Sequence, residues 1–185
     1  MTAMLVVTLV AVHSSFLWAR VVYFRIDGPT HFGVRVIEMA GSASVLIGAA
    51  LILVRSGDYV WTDTAALLVS GLSAALFVWG LRTVRRGQLT AAFSTDAPVE
   101  IVSTGAYRRI RNPFYMSYLL AHAMPVLASR SPWSLLPLAC MVCIYLRAAL
   151  LEERKFLNSP LANQYRCYQR RSGRFTPRFF NQSDG

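Results

Sequence analysis

Residues 115–151 read YMSYLLAHAMPVLASRSPWSLLPLACMVCIYLRAALL, two apolar runs broken only by Ser129, Arg130, Ser131 and Pro132. A helix needs roughly 20 mostly apolar residues to cross the hydrocarbon of a bilayer. The two runs, about Tyr115–Ala128 and Trp133–Leu151, therefore read as a tight helical hairpin in lipid, with Pro132 suited to a helix start. Pro125 and Pro137 sit inside the apolar runs. Proline there removes a backbone hydrogen bond and is tolerated only where protein neighbours re-satisfy the freed carbonyl.

Three further apolar stretches precede the hairpin: Met4 to about Tyr23, about Val36 to Val54, and about Thr64 to Leu81. The first lacks a basic leading segment, with Arg20 and Arg25 following it, so it reads as a retained span rather than a signal peptide. The second and third are rich in small residues, Gly41, Ser44, Gly48 and Ala49 in one, Ser70, Gly71, Ala74 and Ala75 in the other. Such stripes let helices approach closely in lipid and would permit a homodimer.

Composition agrees. Of 185 residues, 55% are hydrophobic and only 15% charged, with mean hydropathy +0.41. Soluble domains carry about 25% charge, so water alone would not keep this chain dissolved. The same figures exclude disorder, and three cysteines cannot staple a fold of this size. Eighteen arginines and Lys155 against nine acidic residues give a net charge of +10. In an apolar chain that excess marks the cytoplasmic side of a bilayer rather than nucleic acid, for which no motif is present.

Arginine placement then predicts topology. Arg20, Arg25 and Arg35 lie between the first two spans; Arg82, Arg85, Arg86, Arg108, Arg109 and Arg111 lie between the third and fourth. Arg154, Lys155, Arg166, Arg170, Arg171, Arg174 and Arg178 follow the fifth, whereas the opposite side has Arg55 and Arg130 alone. The expected fold is an all-α integral membrane protein of about five transmembrane helices, N-terminus outside and C-terminus cytoplasmic. It forms a single membrane domain over 1–185, with three spans in 1–81 and the hairpin plus a cytoplasmic cap in 82–180. The high arginine content points to a bacterial inner membrane.

Two cytoplasmic segments, 82–114 and 152–185, are too long and too aromatic to be mere connectors. They carry Ser103-Thr-Gly-Ala-Tyr107, Arg111-Asn-Pro-Phe-Tyr115, Glu152-Glu153, Tyr165-Arg-Cys-Tyr168 and Arg174-Phe-Thr-Pro177, in that order around the hairpin. This order resembles the isoprenylcysteine carboxyl methyltransferase and phospholipid methyltransferase superfamily, over about Val99 to Pro177. The superfamily pattern runs Gly-x-Tyr, Arg-His-Pro-x-Tyr, a Glu-Glu pair, Tyr-x-x-Tyr and Arg-Phe-x-Pro. Here Asn112 replaces the His, Ser117 replaces a Gly, and Leu161-Ala162 replace a Phe-Gly.

The resemblance implies a membrane-embedded methyltransferase using S-adenosyl-L-methionine on a lipophilic or lipidated substrate drawn from the membrane lipids. The methylated group would be a carboxylate of the isoprenylcysteine type or a lipid headgroup. Carried over residue by residue, the cofactor-binding set is Glu100, Ile101, Val102, Tyr107, Asn112, Pro113, Phe114, Tyr115 and one of Glu152 or Glu153. Tyr115 and Arg147 are the expected catalytic residues, Arg147 as a guanidinium near a span end that orients an anionic substrate. Methyl transfer to a nucleophile that is already anionic needs positioning more than acid–base help, which suits a segment with no evident catalytic Cys or His. Two alternatives stand beside it: an NADPH-dependent membrane reductase of the sterol or steroid type, and a non-catalytic membrane protein with a degenerate site.

Other polar features read as structural. Cys140 and Cys143, deep in an apolar helix, are small packing residues, and no metal site is expected. His122 has no carboxylate or cysteine at ligand spacing and reads as a packed histidine. The C-terminal arginines suit anionic headgroups, and Arg147 and the Glu pair have a plain reading as membrane-boundary charges.

Overall fold

The computed structural model describes residues 1–25, 32–84, 89–90, 98 and 100–178. Its helices are α1 (Thr2–Tyr23), α2 (Phe32–Leu53), α3 (Val60–Thr83), α4 (Pro113–Ser129), α5 (Leu135–Leu157) and α6 (Ala162–Arg171). Single 3₁₀ turns cover Gly105–Arg108 and Pro132–Ser134. Two-residue strands β1 (Phe24–Arg25) and β2 (Leu89–Thr90) pair in parallel and tie the end of α1 to the segment after α3. Among the described residues the fold is all-helical apart from this short pairing and an isolated bridge between Ile110 and Gly173.

Among the described residues four helices are long and apolar enough to cross a membrane: α1, α2, α3 and the segment Pro132–Leu157 that contains α5. They are the first, second, third and fifth of the spans expected from hydropathy. The remaining one, α4, has 17 residues, and at 1.5 Å per residue it is about 26 Å long against about 30 Å of hydrocarbon. Pro113 opens α4 at a position where a missing N–H costs nothing. Pro137 lies in the first turn of α5 rather than in a helix interior, so it breaks no backbone ladder. Pro125 is the one proline within a helix body among the described residues, and it packs against Gly48 of α2.

α4 sits at the centre of the bundle and packs against α1, α2, α3 and α5. One core cluster joins Leu5 and Leu9 of α1, Ile52 of α2, Ala66 of α3, and Met124 and Ala128 of α4. A second joins Phe16 and Ala19 of α1, Phe77 of α3, Phe114 and Ala121 of α4, and Val84 and Tyr107. The small-residue stripe of α2 serves this packing, whereas Gly71 and Ala75 of the α3 stripe are exposed. A Cβ on Gly48 would meet Pro125 Cγ at 2.8 Å, and Ser73 donates across to the Ser117 carbonyl at 2.7 Å. In lipid, where burial of apolar surface drives nothing, close contact and interhelical hydrogen bonds are what hold helices together.

The end of the bundle remote from α6 is fixed by Arg55. Its guanidinium donates to both oxygens of fully buried Asp63, to Asp58 at 3.0 Å and to the Ala128 carbonyl at the end of α4. α4 then stops at Arg130, whose φ of 55° is left-handed, with its guanidinium 3.7 Å from the centre of the Tyr59 ring.

Candidate functional site

The site lies at the other end, where α3 gives way to the 3₁₀ turn at Gly105–Arg108. Gly105 has φ +51°, and a Cβ there would fall 2.2 Å from Thr83 Oγ1. Glycine is therefore required for the turn to rest on α3, where Thr83 Oγ1 also accepts from the Ala106 amide at 3.2 Å. This seats Tyr107 in the core beside Phe114, ring centres 6.4 Å apart, with Val102 packed on the same cluster. Burial holds the Tyr107 phenol well above its ordinary pKa, and the nearby Glu152 carboxyl adds to the shift.

The chain next runs alongside its own C-terminal segment. The Arg111 amide donates to the Gly173 carbonyl at 2.8 Å, the Asn112 amide to Arg174 at 3.1 Å, and the Gly173 amide to Arg109 at 2.9 Å. The Asn112 side chain repeats the pattern, its Nδ2 donating to the Arg174 carbonyl at 3.2 Å. Asn112 thus closes the start of α4 onto the tail. Tyr168 of α6 adds a further tie, its hydroxyl donating to the Tyr107 carbonyl at 2.7 Å.

The two adjacent glutamates of α5 point apart, as neighbours about 100° apart on a helix must. Glu153 is 5% exposed and its carboxylate is saturated. Its Oε1 accepts from Arg111 Nε at 3.1 Å and Arg174 Nε at 2.9 Å; its Oε2 accepts from Arg174 Nη2 at 2.9 Å and Gln169 Nε2 at 3.4 Å. A carboxylate has about four lone-pair sites, and these four donors fill them. Arg111 also donates to the carbonyls of Gln169 and Ser172, so one guanidinium joins α4, α5 and the end of α6. The Glu153 carboxylate in turn raises the Arg174 guanidinium above its ordinary pKa.

Glu152 is different. Among the described residues its hydrogen bond comes from the Tyr115 hydroxyl, at 2.5 Å. The Tyr115 ring stacks on Tyr145 with centres 5.3 Å apart, and Tyr118 lies against both. Glu152 therefore faces a layer of tyrosines and retains acceptor capacity.

Of the residues expected from sequence, the structure gathers Val102, Tyr107, Phe114, Tyr115 and Glu152 around this layer, with Asn112 and Pro113 buried at the start of α4. Ile101 is half-buried beside Val102, and Glu100 is exposed. Arg147 is not brought to the layer. It is exposed among Leu146, Leu150 and Cys143, while the inward face of α5 carries Met141, Tyr145, Ala148, Ala149 and Glu153. Among the described residues no group of three or more His, Cys, Asp or Glu side chains gathers at metal-binding distance. Sequence reasoning passed over Tyr118 and Tyr145, and over Arg111 and Arg174 as partners of Glu153. The i, i+3 spacing of Tyr115 and Tyr118 was the available signal for one; the others needed tertiary contacts.

A family model described as phospholipid methyltransferase matches residues 61–164, which run from the first turn of α3 through α4 and α5 to the start of α6. The match includes the third span, which the sequence motifs had not reached, and ends just before the Tyr165–Arg174 stretch that closes on Glu153. No curated protein matches the chain.

Proposed function

The chain belongs to the phospholipid methyltransferase family, and from that premise we propose that it moves a methyl group from S-adenosylmethionine to the neutral amine of a lipid headgroup. The headgroup ammonium would first give up a proton to the aqueous face; the S–CH3 bond would then break as the C–N bond forms, leaving S-adenosylhomocysteine. When bound, the cofactor supplies an electrophilic methyl group on a sulfonium. The observation that carries the reading is the contrast between the two glutamates. Glu153 has no acceptor site left, whereas Glu152 accepts from Tyr115 and can take the paired hydroxyls of a ribose. The residue types fit the group: a carboxylate for the ribose, an aromatic and apolar surrounding for an adenine, and burial that keeps water out.

In this reading Tyr115 holds the Glu152 carboxylate in place, and Tyr107, Asn112, Pro113 and Phe114 form the wall behind it. Among the described residues no guanidinium is bonded to Glu152, whose nearby cation is Lys155, and Arg147 stands on the outer face of α5. That favours an amine headgroup over a carboxylate acceptor. In this reading the end bearing α6 is cytoplasmic, as its arginines favour, and α4 is a short fifth span forming a hairpin with α5. Membership of a methyltransferase family supports methyl transfer over the reductase alternative.

The test is calorimetric titration of the purified protein with S-adenosylmethionine. A hydrogen bond to a charged group contributes roughly 1.5–3 kcal/mol, so Glu152→Gln should weaken donor binding roughly 10- to 150-fold. Glu153→Gln should leave the affinity of the folded fraction within about threefold. Unchanged affinity in both variants would remove Glu152 from the cofactor site.

A further inference from the structure

His13, Ser44 and His122 stand near the midpoints of α1, α2 and α4, at the depth where a bilayer is most apolar. Polar side chains at that depth are expensive and mark function by default. Ser44 Oγ and His122 Nδ1 pair at 3.0 Å, and the two imidazoles meet edge-on with centres 4.7 Å apart. His13 Nδ1 lies 2.8 Å from the Leu9 carbonyl. A carbonyl only accepts, so Nδ1 carries the proton, and Nε2 of the neutral ring is a lone-pair acceptor. That Nε2 is buried and has no hydrogen-bond partner among the described residues. What it lacks is a donor, and acyl chains have none to give.

This cluster is joined to the site by a row of rings. Tyr115, Tyr118 and His122 occupy one face of α4 at i, i+3 and i+7. Tyr145 stacks on Tyr115 and lies 6.3 Å from His122, and Phe16 lies 4.6 Å from Tyr118 and 5.6 Å from His13. Seven residues at 1.5 Å each put His122 about 10 Å deeper along α4 than Tyr115.

We propose that His13, set by His122 and Ser44, recognises a hydroxyl on the lipid acceptor, at a depth about 10 Å below the level of Tyr115. The favoured substrate class is then a lipid amine with a free hydroxyl at that depth, such as a monoacyl phosphoethanolamine lipid with its glycerol hydroxyl uncapped. The inference rests on the methyltransferase reading, and it assigns His13 as a specificity-determining residue.

The experiment compares that monoacyl lipid with the same lipid whose hydroxyl is capped as a methyl ether, each titrated into the full-length protein in nanodiscs. NMR of isotope-labelled histidine reports the His13 Nε2 resonance, and the titration gives Kd. The expected results are a shift with the free hydroxyl alone and a Kd about tenfold tighter than for the capped lipid. His13→Phe should abolish the preference, and His13→Gln, which keeps an acceptor, should restore part of it. Equal Kd values for the two lipids would overturn the proposal. So would a His13 Nε2 already hydrogen-bonded before lipid is added, which would mean a bound water. Calorimetry with S-adenosylmethionine on the same preparation keeps the two readings separate: silence of Glu152→Gln there, with the hydroxyl preference intact, sinks the cofactor site and not the lipid site.

Discussion

Arg174 grips Glu153 through two hydrogen bonds, Nε to Oε1 and Nη2 to Oε2, each 2.9 Å long. Arg111 reaches the same carboxylate from the start of α4, so three segments far apart in sequence meet on one side chain. Removing one partner of a buried pair strands the others and costs about 3–5 kcal/mol. Glu153→Gln and Arg111→Ala should each fall in that range, because the Glu153 and Arg111 side chains are only 7% and 11% exposed. The Arg174 side chain is 35% exposed, and solvent screening should hold the loss in Arg174→Ala to about 1 kcal/mol. Chemical unfolding in detergent measures all three, and a larger loss for Arg174→Ala than for Arg111→Ala would contradict this ranking.

Much of this arrangement was legible in the sequence, and the limits have physical causes. Hydropathy placed α1, α2, α3 and α5 because a lipid-facing helix must be apolar almost throughout. The ordered motifs drew Tyr107, Tyr115 and the Glu pair together. Hydropathy could not choose between Glu152 and Glu153, since the choice depends on which side of α5 packs against Arg111 and Arg174. Nor could it place Arg147, where an inward guanidinium and one exposed among Leu146 and Leu150 leave the same letter in the chain. The small residues of α2 read as a generic stripe, yet Gly48 meets Pro125 and Ser44 meets His122.

Gly105 carries the second prediction. Its φ of +51° and the 2.2 Å approach of a Cβ to Thr83 Oγ1 leave no room for a side chain. Gly105→Ala should destabilise the protein by about 1–3 kcal/mol from backbone strain. It should also lift Tyr107 from its seat beside Phe114 and so weaken S-adenosylmethionine binding. Paired melting and calorimetric measurements would check this. An alanine variant with wild-type melting and wild-type donor affinity would show that the turn relaxes freely.

Tyr168 gives the protein a pH signature outside the spans. Burial pushes its phenol up to about 12 from the ordinary 10.0, and its hydroxyl must stay protonated to donate to the Tyr107 carbonyl. Between those values the folded state holds a proton that the unfolded chain has released. Stability contributed by Tyr168 is therefore complete below pH about 10 and declines as pH rises toward about 12. Unfolding midpoints across that range should fall more steeply in the wild type than in Tyr168→Phe. Parallel slopes would remove the phenol from the balance.

The last prediction concerns whether α4 crosses the membrane. At 17 residues it is about 4 Å shorter than the hydrocarbon, a mismatch that local thinning of the bilayer and flanking arginines can absorb at fractions of a kcal/mol per Å. Its ends are anchored accordingly: Arg111 at the site end through Glu153, and the Ala128 carbonyl at the far end through Arg55. If α4 spans, exposed Arg108 and the Ser131 that follows α4 lie on opposite faces. Single cysteines at 108 and 131, in a background with Cys140, Cys143 and Cys167 replaced, should then be blocked by an impermeant thiol reagent from opposite sides. A cysteine at Ser56 should label with 131, and one at Asn158 with 108, because α5 returns the chain. Labelling of 108 and 131 from one side would make α4 a re-entrant helix, leaving four spans and putting both termini on the same face.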